Sequence, residues 1–430
     1  MNGVTISIAA AGDRAFQGYL SLPASGSGPG LILLHEILGL NQRIRELADI
    51  YAEEGYLVLA PDLFWHLRPD IELGHSEEDF KTALNYRDRF DVEQAILDLR
   101  HTLQALRANR ACTGKVGAIG FSMGGLLAFL AASRLPLDAA AAYSGVGIEK
   151  HLGETKSIRC PMALHFGSED EFIPPAARAA IKQAQAENDD AEVYVYRGAG
   201  HSFEDAGHKT FDRSAASLAH SRTLSVLRRA IGPRYDLDAL WERHLEGEFV
   251  TCDADATIRT MVPRAYVNHV PTMIGGFGAR ELHRYYKYHF IPQNQGSRMI
   301  PISRTIGANR LVDEFIACFK HEAENDTLLP GVKPTGKEVR IPMVAIVQFR
   351  GDKLCSEHLY WDQASVLVQL GLLDSAQLPV TGAEAADRVI DQELPLNTLR
   401  AEHWWKKSEG RGSAGDSGQK TVRGGREIGS

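Results

Sequence analysis

Gly120-Phe121-Ser122-Met123-Gly124 sets a serine between glycines, after the strand-like run Val116-Gly117-Ala118-Ile119 and ahead of an apolar helical stretch at 125–132. A G-x-S-x-G pentapeptide in that strand, turn and helix context lifts the serine hydroxyl clear of a sheet and aims free helix N–H groups at it. Such a hydroxyl is protonated at neutral pH, so it attacks a carbonyl only when a base removes its proton and an acid orients that base. Both partners follow in the chain. Asp170 lies in the loop after the strand-like 161–166, and His201 lies in Gly198-Ala199-Gly200-His201-Ser202 after the strand-like 193–196. The bland alternative is an ordinary glycine turn at Ser122 and a strand-capping histidine at His201. Three chemistry-bearing residues, each at the end of its own strand, favour nucleophilic acyl transfer instead.

A further acid narrows the pattern. The apolar run 30–34 leads into His35-Glu36-Ile37-Leu38-Gly39-Leu40-Asn41, so Glu36 stands at the end of a core strand, a costly place unless it is paired or used. This segment, Ala60-Pro61-Asp62-Leu63-Phe64, the Ser122 turn, Tyr143-Ser144-Gly145-Val146-Gly147-Ile148-Glu149 and Gly200-His201-Ser202-Phe203 together resemble the dienelactone hydrolase family, over roughly residues 1–230. The resemblance implies an α/β-hydrolase domain, a doubly wound sheet, over residues 1–232. It implies Ser122 as nucleophile, an Asp170–His201 pair, Glu36 beside the serine, and the Ile37 and Met123 backbone N–H groups as oxyanion hole. The implied activity is hydrolysis of a small ester or lactone through an acyl-enzyme, with no cofactor and no metal. The chain departs from the family at two places. It carries Ser122 where dienelactone enzymes carry cysteine, and Glu204-Asp205 where a substrate-holding arginine is found. Two acids there would repel a carboxylate and favour neutral esters, with Lys81 and Arg87 as candidate counterweights.

With 430 residues, 44% of them apolar, the chain can bury two cores. A net charge of −8 argues against a nucleic-acid partner, and no apolar run has membrane-spanning length. The first residues lack the basic and apolar regions of a secretory signal. Five scattered cysteines without a C-x-x-C pair fit free thiols in a reducing compartment, which gives a cytoplasmic expectation. Gly232-Pro233 marks a boundary. Residues 408–430, rich in Gly, Ser, Lys and Arg, read as a disordered tail.

Residues 236–399 read as a second, smaller α+β domain: helical stretches first, then strands, with Arg350-Gly351-Asp352 as a hairpin turn between 337–349 and 353–362. The run 310–319 is strand or short helix by periodicity alone. The segments 329–337 and Glu357-His358-Leu359-Tyr360-Trp361-Asp362-Gln363 resemble the SnoaL-like polyketide-cyclase branch of the NTF2-like superfamily, a cone-shaped fold enclosing a pocket. That resemblance implies Asp362 as a cofactor-independent acid/base, with His269, His289 and Trp361 around the same pocket. Asp362 also reads as the cap of a helix beginning at Gln363. His283 and His289 fall on different helix faces, so their spacing argues against a metal. Three readings of the whole stand together: a serine hydrolase with a ligand-binding or homodimerising second domain, a bifunctional enzyme with a cyclase or isomerase, and a binding module with a vestigial hydrolase.

Overall fold

The computed structural model describes residues 3–186, 188–294, 296–400 and Lys406. The expected tail at 408–430 lies outside the described residues.

The first half builds an eight-stranded sheet. Its strands are β1 (Val4–Ala9), β2 (Ala15–Ser21), β3 (Gly28–Leu34), β4 (Leu57–Pro61), β5 (Cys112–Phe121), β6 (Ala139–Tyr143), β7 (Met162–Gly167) and β8 (Ala191–Tyr196). They lie in the order β1-β2-β4-β3-β5-β6-β7-β8, with β3 to β8 parallel to one another. β3, β4 and β6 are buried along their whole length, as strands covered on both faces must be. Val92–Ala108, Met123–Arg134 and Pro175–Gln185 cover one face through Leu99, Leu127 and Ile181. Gln42–Glu53 and Arg213–Ala230 cover the other through Ala48, Tyr51 and Leu227. All strands of the parallel part end on the same side, so the loops after β3, β5, β7 and β8 meet above the sheet, where open α/β sheets bind ligands.

A second sheet follows, made of β9 (Met261–His269), β10 (Ile274–Phe277), β11 (Arg298–Ile306), β12 (Arg310–Lys320), β13 (Glu338–Arg350) and β14 (Lys353–Trp361), in the order β10-β9-β14-β13-β12-β11. Pairing on both sides, with β11 and β13, makes the ambiguous run at 310–319 a strand. The pairs are antiparallel except β14 with β9, which run parallel. β13 alternates strictly between more and less buried positions, with Val339, Ile341, Met343, Ala345 and Val347 facing the core. Leu237–Leu245, Gly278–Tyr285 and Gln363–Leu370 contribute Trp241, Leu282 and Val366 to the same core.

The two halves are tied by Ser217, Ser221 and Arg228, which reach Arg310, Asn309 and the Ala308 carbonyl, and by the β13–β14 hairpin. The β13–β14 hairpin needs Gly351 at φ 59°, and a Cβ there would stand 2.3 Å from the Glu53 carbonyl oxygen. Its N–H donates to Glu54 Oε2 (3.0 Å), which also accepts from Arg228 Nη2 (2.7 Å), while Arg350 Nη1 reaches Glu53 Oε2 (2.9 Å) and Tyr235 donates to the Glu54 carbonyl (3.2 Å). No helix among the described residues is long and apolar enough to cross a membrane.

Candidate active site

Ser122 follows the last residue of β5 directly and takes φ 51°, ψ −111°, a conformation that side-chain-bearing residues avoid. Two glycines permit it. A Cβ on Gly120 would meet the Gly124 carbonyl oxygen at 1.8 Å, and one on Gly124 would meet the Leu34 carbonyl oxygen at 2.4 Å. Only absent side chains let β5 turn into its helix so sharply against β3.

The turn puts Ser122 Oγ 2.9 Å from His201 Nε2, and His201 Nδ1 lies 2.8 Å from Asp170 Oδ2. The other Asp170 oxygen accepts from the Phe172 N–H (2.9 Å), which fixes the carboxylate plane. The Phe172 ring stands edge-on to the imidazole with centroids 4.8 Å apart. Burial pulls the His201 pKa down, but the hydrogen bond and charge of Asp170, with Glu204 and Glu36 adding to them, outweigh it and leave the imidazole above its ordinary 6.5. The three sequence-predicted residues therefore form one hydrogen-bonded relay.

Ser122 and His201 line a cavity of about 970 Å³, together with Glu36, Ile37, Met123 and Phe172. Neither the Ile37 nor the Met123 N–H is engaged in another hydrogen bond among the described residues. His35 holds the approach to this loop: its Nδ1–H donates to the Glu36 carbonyl (2.6 Å) and its Nε2 accepts from the Leu63 N–H (3.1 Å). Burial drives the His35 pKa down to about 4, so the ring stays neutral in that role.

Glu36 faces a charge cluster that the sequence reading missed. Arg43 reaches Glu36 Oε1 (3.1 Å), Glu204 Oε1 (3.8 Å) and Asp205 Oδ1 (2.7 Å), and His75 lies 3.2 Å from the second Asp205 oxygen. Burial raises the Glu36 pKa against the pull of Arg43, and burial lifts Glu204 to about 7. The expectation that Glu204 and Asp205 present bare negative charge to substrate is corrected here. Asp205 is buried and the Glu204 side chain is 10% exposed; both are held by Arg43 and absent from the cavity wall, which carries Lys81, Arg87 and Lys209 alongside Glu77 and Glu171. The available signal was Arg43 itself, the first cation after the Glu36 loop.

The second-domain candidates do not converge. Asp362 caps Gln363–Leu370, accepting from the Ala364 N–H (3.0 Å), and does not line the cavity of that domain. His289 is on the surface beside Asp326 (3.1 Å). Trp361 is buried, its Nε1–H donating to Gln363 (2.6 Å). His269 alone of the four lines a cavity of about 60 Å³ between the helices and the inner face of the sheet. That cavity is walled by Trp241, Phe290, Phe315 and Met343, and holds two carboxylates unmarked by the sequence reading, Glu248 and Glu357. Glu357 shares the inward phase of β14 with Leu359 and Trp361, the alternation that could have found it.

Comparison with known proteins matches residues 16–231 to the family described as "Dienelactone hydrolase family". The carboxymethylenebutenolidase of Pseudomonas sp. (strain P51) is 35% identical over 225 residues, covering 52% of this chain and 94% of that protein. The carboxymethylenebutenolidase 1 of Cupriavidus pinatubonensis is 34% identical over 215 residues, covering 49% and 91%. A solved structure described as a dienelactone hydrolase-like promiscuous phosphotriesterase from metagenomic libraries is 23% identical, with a TM-score of 0.46, covering 54% of this chain and 100% of its own.

Proposed function

Because this chain belongs to the dienelactone hydrolase family and is a hydrolase of esters or lactones, we propose that it works through an acyl-enzyme on Ser122. The observation that carries this reading is the Ser122–His201–Asp170 relay, with contacts of 2.9 and 2.8 Å, on the wall of the large cavity. His201 Nε2 takes the Ser122 proton as Oγ attacks the carbonyl carbon. The oxyanion of the tetrahedral intermediate is met by the Ile37 and Met123 N–H groups, a contribution of about 3 kcal/mol per donor in serine hydrolases. Collapse expels the alkoxide or enolate, which takes the proton from His201. His201 then deprotonates a water that attacks the acyl carbon, and Ser122 leaves with the proton. Asp170 keeps the imidazole in the tautomer this sequence of transfers needs.

The cavity wall supports a carboxylate-bearing lactone as substrate, in keeping with the butenolidase names of the relatives. Lys81 and Lys209 make no ion pair among the described residues and line the cavity, with Glu77 and Glu171 also on its wall, whereas Glu204 and Asp205 are held away by Arg43. Five free cysteines support a reducing, cytoplasmic setting. For the second domain, a six-stranded sheet with helices on one face and an apolar cavity between supports a SnoaL-like, ligand-binding reading.

The test is turnover of p-nitrophenyl esters and of a dienelactone, with fluorophosphonate labelling, by the wild type and Ser122→Ala. Loss of both turnover and labelling in a folded variant is expected. Wild-type turnover by Ser122→Ala would overturn the assignment. A higher kcat/KM for the methyl ester of the dienelactone than for its free carboxylate would overturn the substrate reading while leaving the mechanism standing.

A further inference from the structure

Far from Ser122 in the chain, the second domain buries an imidazole and two carboxylates against one another. His244, Glu248 and Glu357 are 0%, 4% and 4% exposed, and one ligand-capable atom from each lies within 4.8 Å of the others. Glu248 stands four residues after His244 on the same helical face, and β14 brings Glu357 from more than a hundred residues away.

The hydrogen bonding fixes what these atoms offer. Thr260 Oγ1 donates to the Thr257 carbonyl (2.6 Å), so it can only accept from His244 Nδ1–H, 2.6 Å away. The lone pair of His244 then sits on Nε2, which faces Glu248 Oε1 at 3.1 Å. Tyr286 OH, 3.3 Å from Nε2, has one proton to share between those two acceptors. Glu357 lines the cavity, and its carboxyl group makes no hydrogen bond or ion pair among the described residues. An imidazole nitrogen and two carboxyl groups thus converge, and among the described residues no Lys or Arg is paired with either carboxyl. Of the cationic or titratable groups nearby, Arg298 lines the cavity but is exposed, and His269 lines it with Nδ1 unpartnered. Burial, with the Glu248 charge next, holds the Glu357 carboxyl well above the ordinary range. Burial lowers His269 to about 3, which keeps that ring neutral. Two π-helical turns, Glu246–Val250 and Tyr286–Phe290, supply Glu248 and Tyr286, a distortion that recurs at functional sites.

We propose that His244 Nε2, Glu248 and Glu357 form a binding site for a divalent first-row cation of the zinc class, with an open position facing the apolar cavity. One imidazole nitrogen and two carboxylate oxygens suit Zn²⁺, Mn²⁺ or Fe²⁺ better than Ca²⁺ or Mg²⁺, which take all-oxygen sets. The Thr260 contact on Nδ1 is the support that orients a metal-ligating histidine. Three protein ligands beside a cavity with room for a few waters is the arrangement of a site that keeps an exchangeable ligand.

The experiment is equilibrium dialysis and calorimetry of the chelator-treated full chain with Zn²⁺ alone at neutral pH, followed by Co²⁺ absorption spectroscopy on the unmodified protein. Expected are one Zn²⁺ per chain, visible Co²⁺ bands of a four- or five-coordinate site, and affinity lowered more than about 10-fold by Glu357→Gln or His244→Gln. His283→Ala and His289→Ala, which remove exposed His–Asp pairs, should leave uptake unchanged. The site is overturned if the wild type takes up no Zn²⁺ and gives no Co²⁺ bands, the result if protons alone neutralise the cluster. It is equally overturned if uptake survives in Glu357→Gln or is lost in His283→Ala.

Discussion

At the residue scale, the chemistry of the first domain turns on where one proton rests. His201 is a base only when neutral, and its pKa lies above 6.5, so kcat/KM should fall on the acid side with a midpoint above that value. Asp170→Asn removes the largest influence raising that pKa and leaves burial to dominate. The acid limb of the pH–rate profile should therefore move to lower pH while kcat drops by about 10⁴. A limb that stays in place would mean that Asp170 does not set the His201 charge. Glu36 lines the same cavity as Ser122 and is already engaged by Arg43. Glu36→Gln should change kcat far more than the unfolding midpoint, and the reverse result would mark it as a structural acid. Asp362, a helix cap outside the cavity, should act oppositely: Asp362→Asn should cost about 1 kcal/mol or less in denaturant titration and leave ester turnover untouched.

At the element scale, the decisive unit is the junction of β5 with its helix. Gly120→Ala would force a methyl onto the Gly124 carbonyl, and the backbone has nowhere to move because Gly124 already abuts the Leu34 carbonyl of β3. The expected result is a loss of about 1–3 kcal/mol or more from overpacking, with kcat falling further than the folded fraction explains. Comparing fluorophosphonate labelling per folded molecule with the denaturation midpoint separates the two effects. Wild-type labelling and stability would show that the turn relaxes freely. In the second sheet the equivalent constraint is the in-phase placement of Glu357 with Leu359 and Trp361, which commits a carboxylate to the interior wherever β14 pairs in register with β13.

At the scale of the whole molecule, the two sheets meet through Glu54. Its carboxylate, nearly fully buried, serves Arg228 from the first unit and the Gly351 N–H from the second. Burial raises its pKa, but His220, Arg228 and Gly351 together outweigh that and bring it below the ordinary 4.5. A carboxyl lowered in the folded state contributes stability that is complete above its unfolded pKa. That contribution is lost as pH falls through the lower folded value. Glu54→Gln leaves Arg228 buried without its counter-charge and should cost about 3–5 kcal/mol at neutral pH. Its unfolding midpoint should also lose part of the wild-type pH dependence below pH 4.5. An unchanged midpoint would show that the junction does not depend on this carboxylate.

What the chain alone determined is local and periodic. The Gly-Ser-Gly turn, the strand-end positions of Asp170 and His201 and the hairpin at Gly351 each depend on neighbours within a few residues, where backbone sterics and turn chemistry act. Tertiary structure decided the rest, because charge in a folded protein is judged by what lies across the fold. Glu204 and Asp205 look like exposed acids beside His201 until Arg43, more than 150 residues earlier, is packed against them. Asp362 and His289 carry the right chemistry but point away from the cavity, one spent on a helix cap and one on the surface. The two inward carboxylates, Glu248 and Glu357, become a pair only when a helix is laid across a strand. No sequence window contains both, so only the packed structure brings them together.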